Sequence, residues 1–155
     1  MADNETTEQA YAEQNAALER EAQLAEEYLE GMPAVNIGAL VMPPIWGPAK
    51  GIWATILWYP VWVFADNVLF AWWSTRTLEA GIIGVLTLVL LALVTIAFAR
   101  LSRPLAAVRA VQKGKTKEEF QRGERIWAIV SIVVGIAFLA FATYYNLVLR
   151  APLVA

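Results

Sequence analysis

Residues 36–53, NIGALVMPPIWGPAKGIW, are apolar enough to leave water, yet they carry Pro43, Pro44 and Pro48 together with Gly38, Gly47 and Gly51. Proline lacks an amide donor and clashes with the turn before it, so no uninterrupted helix runs through such a stretch. In lipid, broken backbone is costly unless protein or water covers its freed carbonyls. With Pro33 just ahead, residues 33–50 read as a re-entrant or interfacial hairpin defined by Asn36, Pro43, Pro44, Trp46 and Gly47. Asn36 is placed to cap a short apolar helix before Pro43. The chain is acidic before this hairpin and strongly apolar after it.

Three hydrophobic runs follow, at 51–73, 80–99 and 126–149, and each reaches the roughly 20 residues needed to cross about 30 Å of hydrocarbon. They lift the hydrophobic fraction to 59%, against roughly 45–50% in a soluble domain. The expected fold is therefore all-α: an integral membrane protein with three transmembrane helices, the Pro/Gly-rich hairpin and an N-terminal acidic amphipathic helix. Six of the seven tryptophans fall between Trp46 and Trp73. Trp46 with Trp53, and Trp72 with Trp73, are expected to mark the two headgroup levels as aromatic belts. Pro60 is expected to kink the first span near its middle.

Asp66 and Asn67 are the chemically suggestive pair, because an acid within a span is expensive unless it is partnered. At helical spacing Thr55, Tyr59, Trp62 and Asp66 share a face, which offers the carboxylate hydroxyl and indole donors from its own helix. The intramembrane polar site expected here comprises Tyr59, Trp62, Asp66 and Asn67. It has two readings, a hydrated position near the interface and a proton or cation path. Small residues mark helix-packing seams at Ala80 and Gly84 in the second run, and at Ala128, Ser131, Gly135 and Ala142 in the third.

Charge sets the orientation. Eight of the twelve basic residues lie between Arg100 and Arg125, whereas residues 74–79 hold only Arg76 with Glu79. Under the positive-inside rule the 100–125 segment is a cytoplasmic loop, which puts the N-terminus in the cytoplasm and the C-terminus outside. A crossing by residues 33–50 would instead give four spans and an external tail. Residues 1–32 hold nine acids against Arg20, or −8, and are rich in Ala, Glu, Gln and Leu, so they read as a helix stopped by Gly31 and Pro33. Its thin stripe of Tyr11, Asn15, Leu18, Ala22, Ala25 and Leu29 has the spacing of a coiled-coil seam. Such a helix calls for a basic surface, and the 100–125 segment, at +5 from eight bases and three acids, is the available one. That segment also suits anionic lipid. It has no aromatic interleaving that would suit nucleic acid, Phe120 being its one aromatic residue.

The chain contains neither Cys nor His. That excludes disulfides, thiolate chemistry and the commonest general base. No motif for a nucleophile elbow, phosphate loop or dinucleotide fold occurs. The expectation is no enzyme, no cofactor and no metal.

The run Asn36-Ile37-Gly38-Ala39-Leu40, then Pro44-Ile45-Trp46-Gly47 and Gly51-Ile52-Trp53, resembles a signature of small uncharacterised bacterial multi-spanning membrane proteins. In them an Asn-Trp-Gly/Ala-Ala-Phe opening leads to an apolar Pro/Trp turn and a spanning helix. The likeness covers about twenty of the 155 residues, and Ile37 and Leu40 stand where that pattern has aromatics. It implies a multi-pass protein of a bacterial inner membrane and no particular activity. Two functions are consistent with the residues. One is a non-catalytic subunit or adaptor of a membrane complex, bound to a membrane-protein partner or to copies of itself. The other is a small oligomeric channel or transporter lined by the Asp66 face.

Overall fold

The computed structural model describes residues 2–154, with side chains described from 7 to 152. The elements run α1 (Ala2–Leu29), α2 (Ile37–Val41), α3 (Pro43–Ala49), a 3-10 turn (Trp53–Leu57), α4 (Trp58–Thr75), α5 (Leu78–Gln112), α6 (Lys117–Tyr144), a π turn (Tyr145–Arg150) and α7 (Ala151–Val154). Three helical segments are long and apolar enough to cross a membrane: Trp53–Thr75, Leu78–Gln112 and Lys117–Arg150.

The prolines do not merely break helices here; they start them. Pro43 and Pro44 occupy the first turn of α3, where an amide has no intrahelical acceptor and a fixed φ is already helical. The break falls at Met42, with φ −138°. Pro60 likewise differs from its expected place. Residues 53–57 form a 3-10 turn and α4 begins at Trp58, so Pro60 sits in the first helical turn rather than at a mid-span kink.

The basic segment 100–125 is not a loop. α5 continues unbroken through Pro104 to Gln112, and α6 starts at Lys117, leaving residues 113–116 as the connection. Thr116 caps α6 with a complete capping box: its hydroxyl accepts from Glu119 N–H, and the Glu119 carboxylate accepts from Thr116 N–H. At 1.5 Å per residue the 35 residues of α5 extend about 52 Å, well beyond the bilayer's hydrocarbon. The surplus carries the basic residues clear of the apolar run as paired helical ends.

The packed core sits around this surplus and not among the apolar runs. Ala99, Ser102, Ala106 and Ala110 line one face of α5 and are all buried, and such small side chains let neighbouring backbones come close. Against them lie Ala25, Tyr28 and Leu29 of α1, Ala39 of α2, Trp46 of α3 and Phe120 of α6. The most apolar windows of the three long segments, by contrast, are 17%, 17% and 6% buried. The molecule is a well-packed cap on a thinly packed set of long apolar helices, whose exposed Leu, Ile, Val and Phe call for a lipid environment.

Among the described residues, α1 joins the cap through its C-terminal turns. Ala25 is buried, Tyr28 Oη donates to Lys115 O at 2.6 Å, and Arg103 Nη2 donates to Leu29 O and Met32 O. Glu30 and Glu27 lie 3.1 and 3.8 Å from Lys117 Nζ, and Gln112 donates to Glu21 at 3.0 Å. Tyr11 and Leu18 are exposed, and within this chain the heptad-like stripe packs at its C-terminal end, through Ala25 and Leu29. α5 ends at Gln112, and Glu21 is the α1 residue it reaches there.

Candidate functional site

A buried carboxylate is the centre of the cap. Glu124 is 6% exposed. Its Oε2 accepts from Asn36 Nδ2 at 2.6 Å and from Trp46 Nε1 at 3.3 Å, and Lys50 Nζ stands 2.6 Å from Oε1 as an ion pair rather than an aligned hydrogen bond. Asn36 is positioned by its own helix end. It is the N-cap of α2, its Oδ1 accepting from Ala39 N–H at 3.0 Å, and its backbone N–H donates to Ala99 O. The amide thus binds helix start and carboxylate together.

Trp46 corrects one expectation. It is fully buried, edge-on to Phe98 with ring centres 6.5 Å apart, and is therefore a core residue rather than part of an aromatic belt. Its ring lies directly on Gly38, where a Cβ would collide with it, and Gly47 is covered in the same way by Thr55. Trp53, Trp72 and Trp73 are the exposed indoles. Trp72 packs over Gly81 and Gly84 of α5, so the step expected at Ala80 and Gly84 is filled by an indole from α4 and not by a second helix backbone.

The seam expected on α6 is also internal. A Cβ on Gly135 would meet Val41 Cγ1 at 2.7 Å, Ser131 is fully buried, and Ala128 borders a small cavity with Asn36, Arg103 and Glu124. It is the hairpin helix α2 that packs there. Extended in both directions by helical steps, the same face runs from Phe120 and Glu124 through Ala128, Ser131, Gly135 and Ala142 to Asn146 and Arg150. Its polar ends make the two clusters of the structure.

The second cluster involves Asp66. Asn146 Nδ2 donates to Asp66 Oδ1 at 2.6 Å, Arg150 Nη1 lies 3.4 Å from Asp66 Oδ2, and Arg150 Nη2 donates to Asn67 Oδ1 at 2.6 Å. Arg150 also lies over the Phe70 ring, 3.9 Å from its centre. The π turn holding Asn146 and Arg150 presents both to α4. The donors to Asp66 thus come from the last span and not from its own helix. Thr55 donates to Ile52 O, and Tyr59 and Trp62 are ring partners that, with Phe138, wall the adjoining open cleft.

Sequence reasoning missed Glu124, Lys50, Asn146 and Arg150 as partners. Glu124 was counted only as an acid diluting a basic segment. The usable signal was its place four residues before Ala128 on a small-residue seam, since an acid on a packing face must be paired.

Chemically, the carboxylate is occupied within the chain: Oε2 accepts two hydrogen bonds, Oε1 faces the Lys50 ammonium, and the space beside Asn36 and Glu124 is about 80 Å³. Comparison with protein-family models, curated proteins and solved structures found no match to this chain.

Proposed function

We propose that this chain is a non-catalytic subunit or adaptor of a membrane complex, with its cap in the cytoplasm and residues 33–50 seated at the membrane interface. The observation that carries this reading is the division between a tightly packed cap and spanning windows that are 6–17% buried. A protein working alone on a soluble substrate needs a site, and the buried acid that would be its first candidate is wholly occupied by Asn36, Trp46 and Lys50. The helices between the two polar clusters present apolar surface that a neighbouring span can cover by van der Waals packing. Asp66, held by Asn146 and Arg150 at one end of the spans, serves in this reading as a clasp between α4 and the π turn after α6.

Release of the full-length protein from its native membrane directly into lipid nanodiscs, followed by native mass spectrometry, tests this. The expected result is a fixed-stoichiometry complex with a different integral membrane protein. A homo-oligomer that conducts protons or cations after reconstitution into liposomes would overturn it in favour of a channel.

A further inference from the structure

Three cations gather where the chain turns into its first spanning segment. Arg109 lies in the last turn of α5 and Lys113 is its C-cap, four residues on, and side chains on a helix lean towards its N-terminus, here towards the apolar run. Arg109 Nη1 and Lys113 Nζ each lie 3.9 Å from where a Cβ on Gly51 would stand, and Lys50 immediately precedes that glycine. Gly51 has φ +78°, a conformation that suits glycine, so this turn brings bare backbone beside the two cations.

Nearby acids compensate the group only in part. Glu124 is committed to Lys50, and the single carboxylate of Glu119, which borders the same space and accepts from Thr116 N–H, faces Arg109, Lys113 and Lys115. Arg109, Lys113 and Lys115 have no ion-pair partner among the described residues. Arg109 Nη1 is moreover buried without a protein acceptor, which is expensive for a charged donor.

Three residues past Gly51, Ala54 begins the wall of an apolar groove of about 370 Å³ between the 3-10 turn with α4 and α5, bordered by Leu57, Val61, Leu90 and Val94. In sequence, exposed Trp53 stands between Gly51 and Ala54, and indoles favour the headgroup level.

We propose that cations and groove together form a site for one anionic phospholipid. Its phosphate accepts hydrogen bonds from Arg109, Lys113 and the remaining N–H groups of Lys50, and one acyl chain lies in the groove. The guanidinium fork matches phosphate oxygens, and the excess of positive charge selects an anionic over a zwitterionic head. The apolar lining of the groove suits an acyl chain, which reaches the bilayer midplane about 15 Å deep. Free phosphate would gain the charge term alone.

The test is native mass spectrometry of the full-length protein in dodecyl maltoside, titrated with dioleoyl phosphatidylglycerol or dioleoyl phosphatidylcholine. One phosphatidylglycerol should be retained per chain, in preference to phosphatidylcholine. At about fivefold per charge, Lys113→Gln should weaken phosphatidylglycerol binding about fivefold and Arg109→Gln with Lys113→Gln about 25-fold, with phosphatidylcholine unchanged. Val61→Trp, which fills the groove, should weaken both lipids, and Arg122→Gln, an exposed cation outside the site, should change neither. Lys113 is exposed, so its variant leaves the core intact. Equal retention of the two lipids, an equal loss with Arg122→Gln, no loss with Lys113→Gln at unchanged helicity, or displacement by millimolar inorganic phosphate would each overturn the site.

Discussion

Lys50 and Glu124 are brought to 2.6 Å of each other by the fold, with 14% and 5% of their side chains exposed. The pair ties the turn after α3 to the first half of α6 and closes the hairpin over the α5–α6 ends. Removing one member of a buried pair strands the other, at a typical cost of about 3–5 kcal/mol. Glu124→Ala should therefore lower the thermal unfolding midpoint in mild detergent markedly. Glu124→Ala combined with Lys50→Met should recover part of the loss, since it leaves no cation stranded. Equal midpoints for wild type and Glu124→Ala would show that the pair does not hold the cap.

Gly38 lies beneath the Trp46 ring with no room for a side chain. Gly38→Val forces the indole out of the core and away from Glu124. A loss of about 3 kcal/mol, of the order seen when a large core side chain is displaced, is expected. Tryptophan near-ultraviolet dichroism and protease resistance of residues 33–50 report it, and both should fall together.

Asp66 and Arg150 form a more exposed pair, with 40% and 25% of their side chains accessible. Such a pair contributes about 0–1 kcal/mol. Asp66→Asn keeps the size of the side chain and should cost no more than that in stability. Proton flux in liposomes should match that of empty liposomes for both wild type and variant. Flux in the wild type that vanishes in Asp66→Asn would assign the residue to a conduction path.

The contact of α1 with the α5–α6 ends mixes charge and packing. Lys117 meets Glu27 and Glu30, but Ala25 and the Tyr28 hydroxyl are also engaged. Charge alone would be screened over about 8 Å at physiological salt. In this cysteine-free chain, Glu21→Cys with Gln112→Cys should be joined by a short bis-maleimide crosslinker, and the yield should survive 1 M salt. Loss of crosslinking with salt would mean that the ion pairs carry the contact.

Orientation is open to a direct measurement. A reporter fused after Ala155 should read as external and one inserted in residues 113–116 as cytoplasmic, because one crossing separates them. Both on the same side would exclude three crossings.

The three apolar helices were legible from residue order because length and hydropathy are properties of a contiguous run, and crossing a bilayer depends on little else. The capping role open to Asn36 and the small-residue faces were legible for a similar reason, since helical periodicity places neighbours three and four residues apart. Partner identity was not. Trp46 looked like a headgroup marker, and only the approach of Gly38 and Phe98 from separate elements made it core. Glu124 looked like dilution of a basic loop until α2, α3 and α6 met around it. Asp66 stands out in the sequence as an intramembrane acid, but its donors lie on the π turn after α6, beyond the reach of any local pattern. Local chemistry determined which segments are helical and which are apolar. The tertiary structure decided which charges are paired, because pairing a buried charge depends on groups that only long-range packing brings within hydrogen-bond distance.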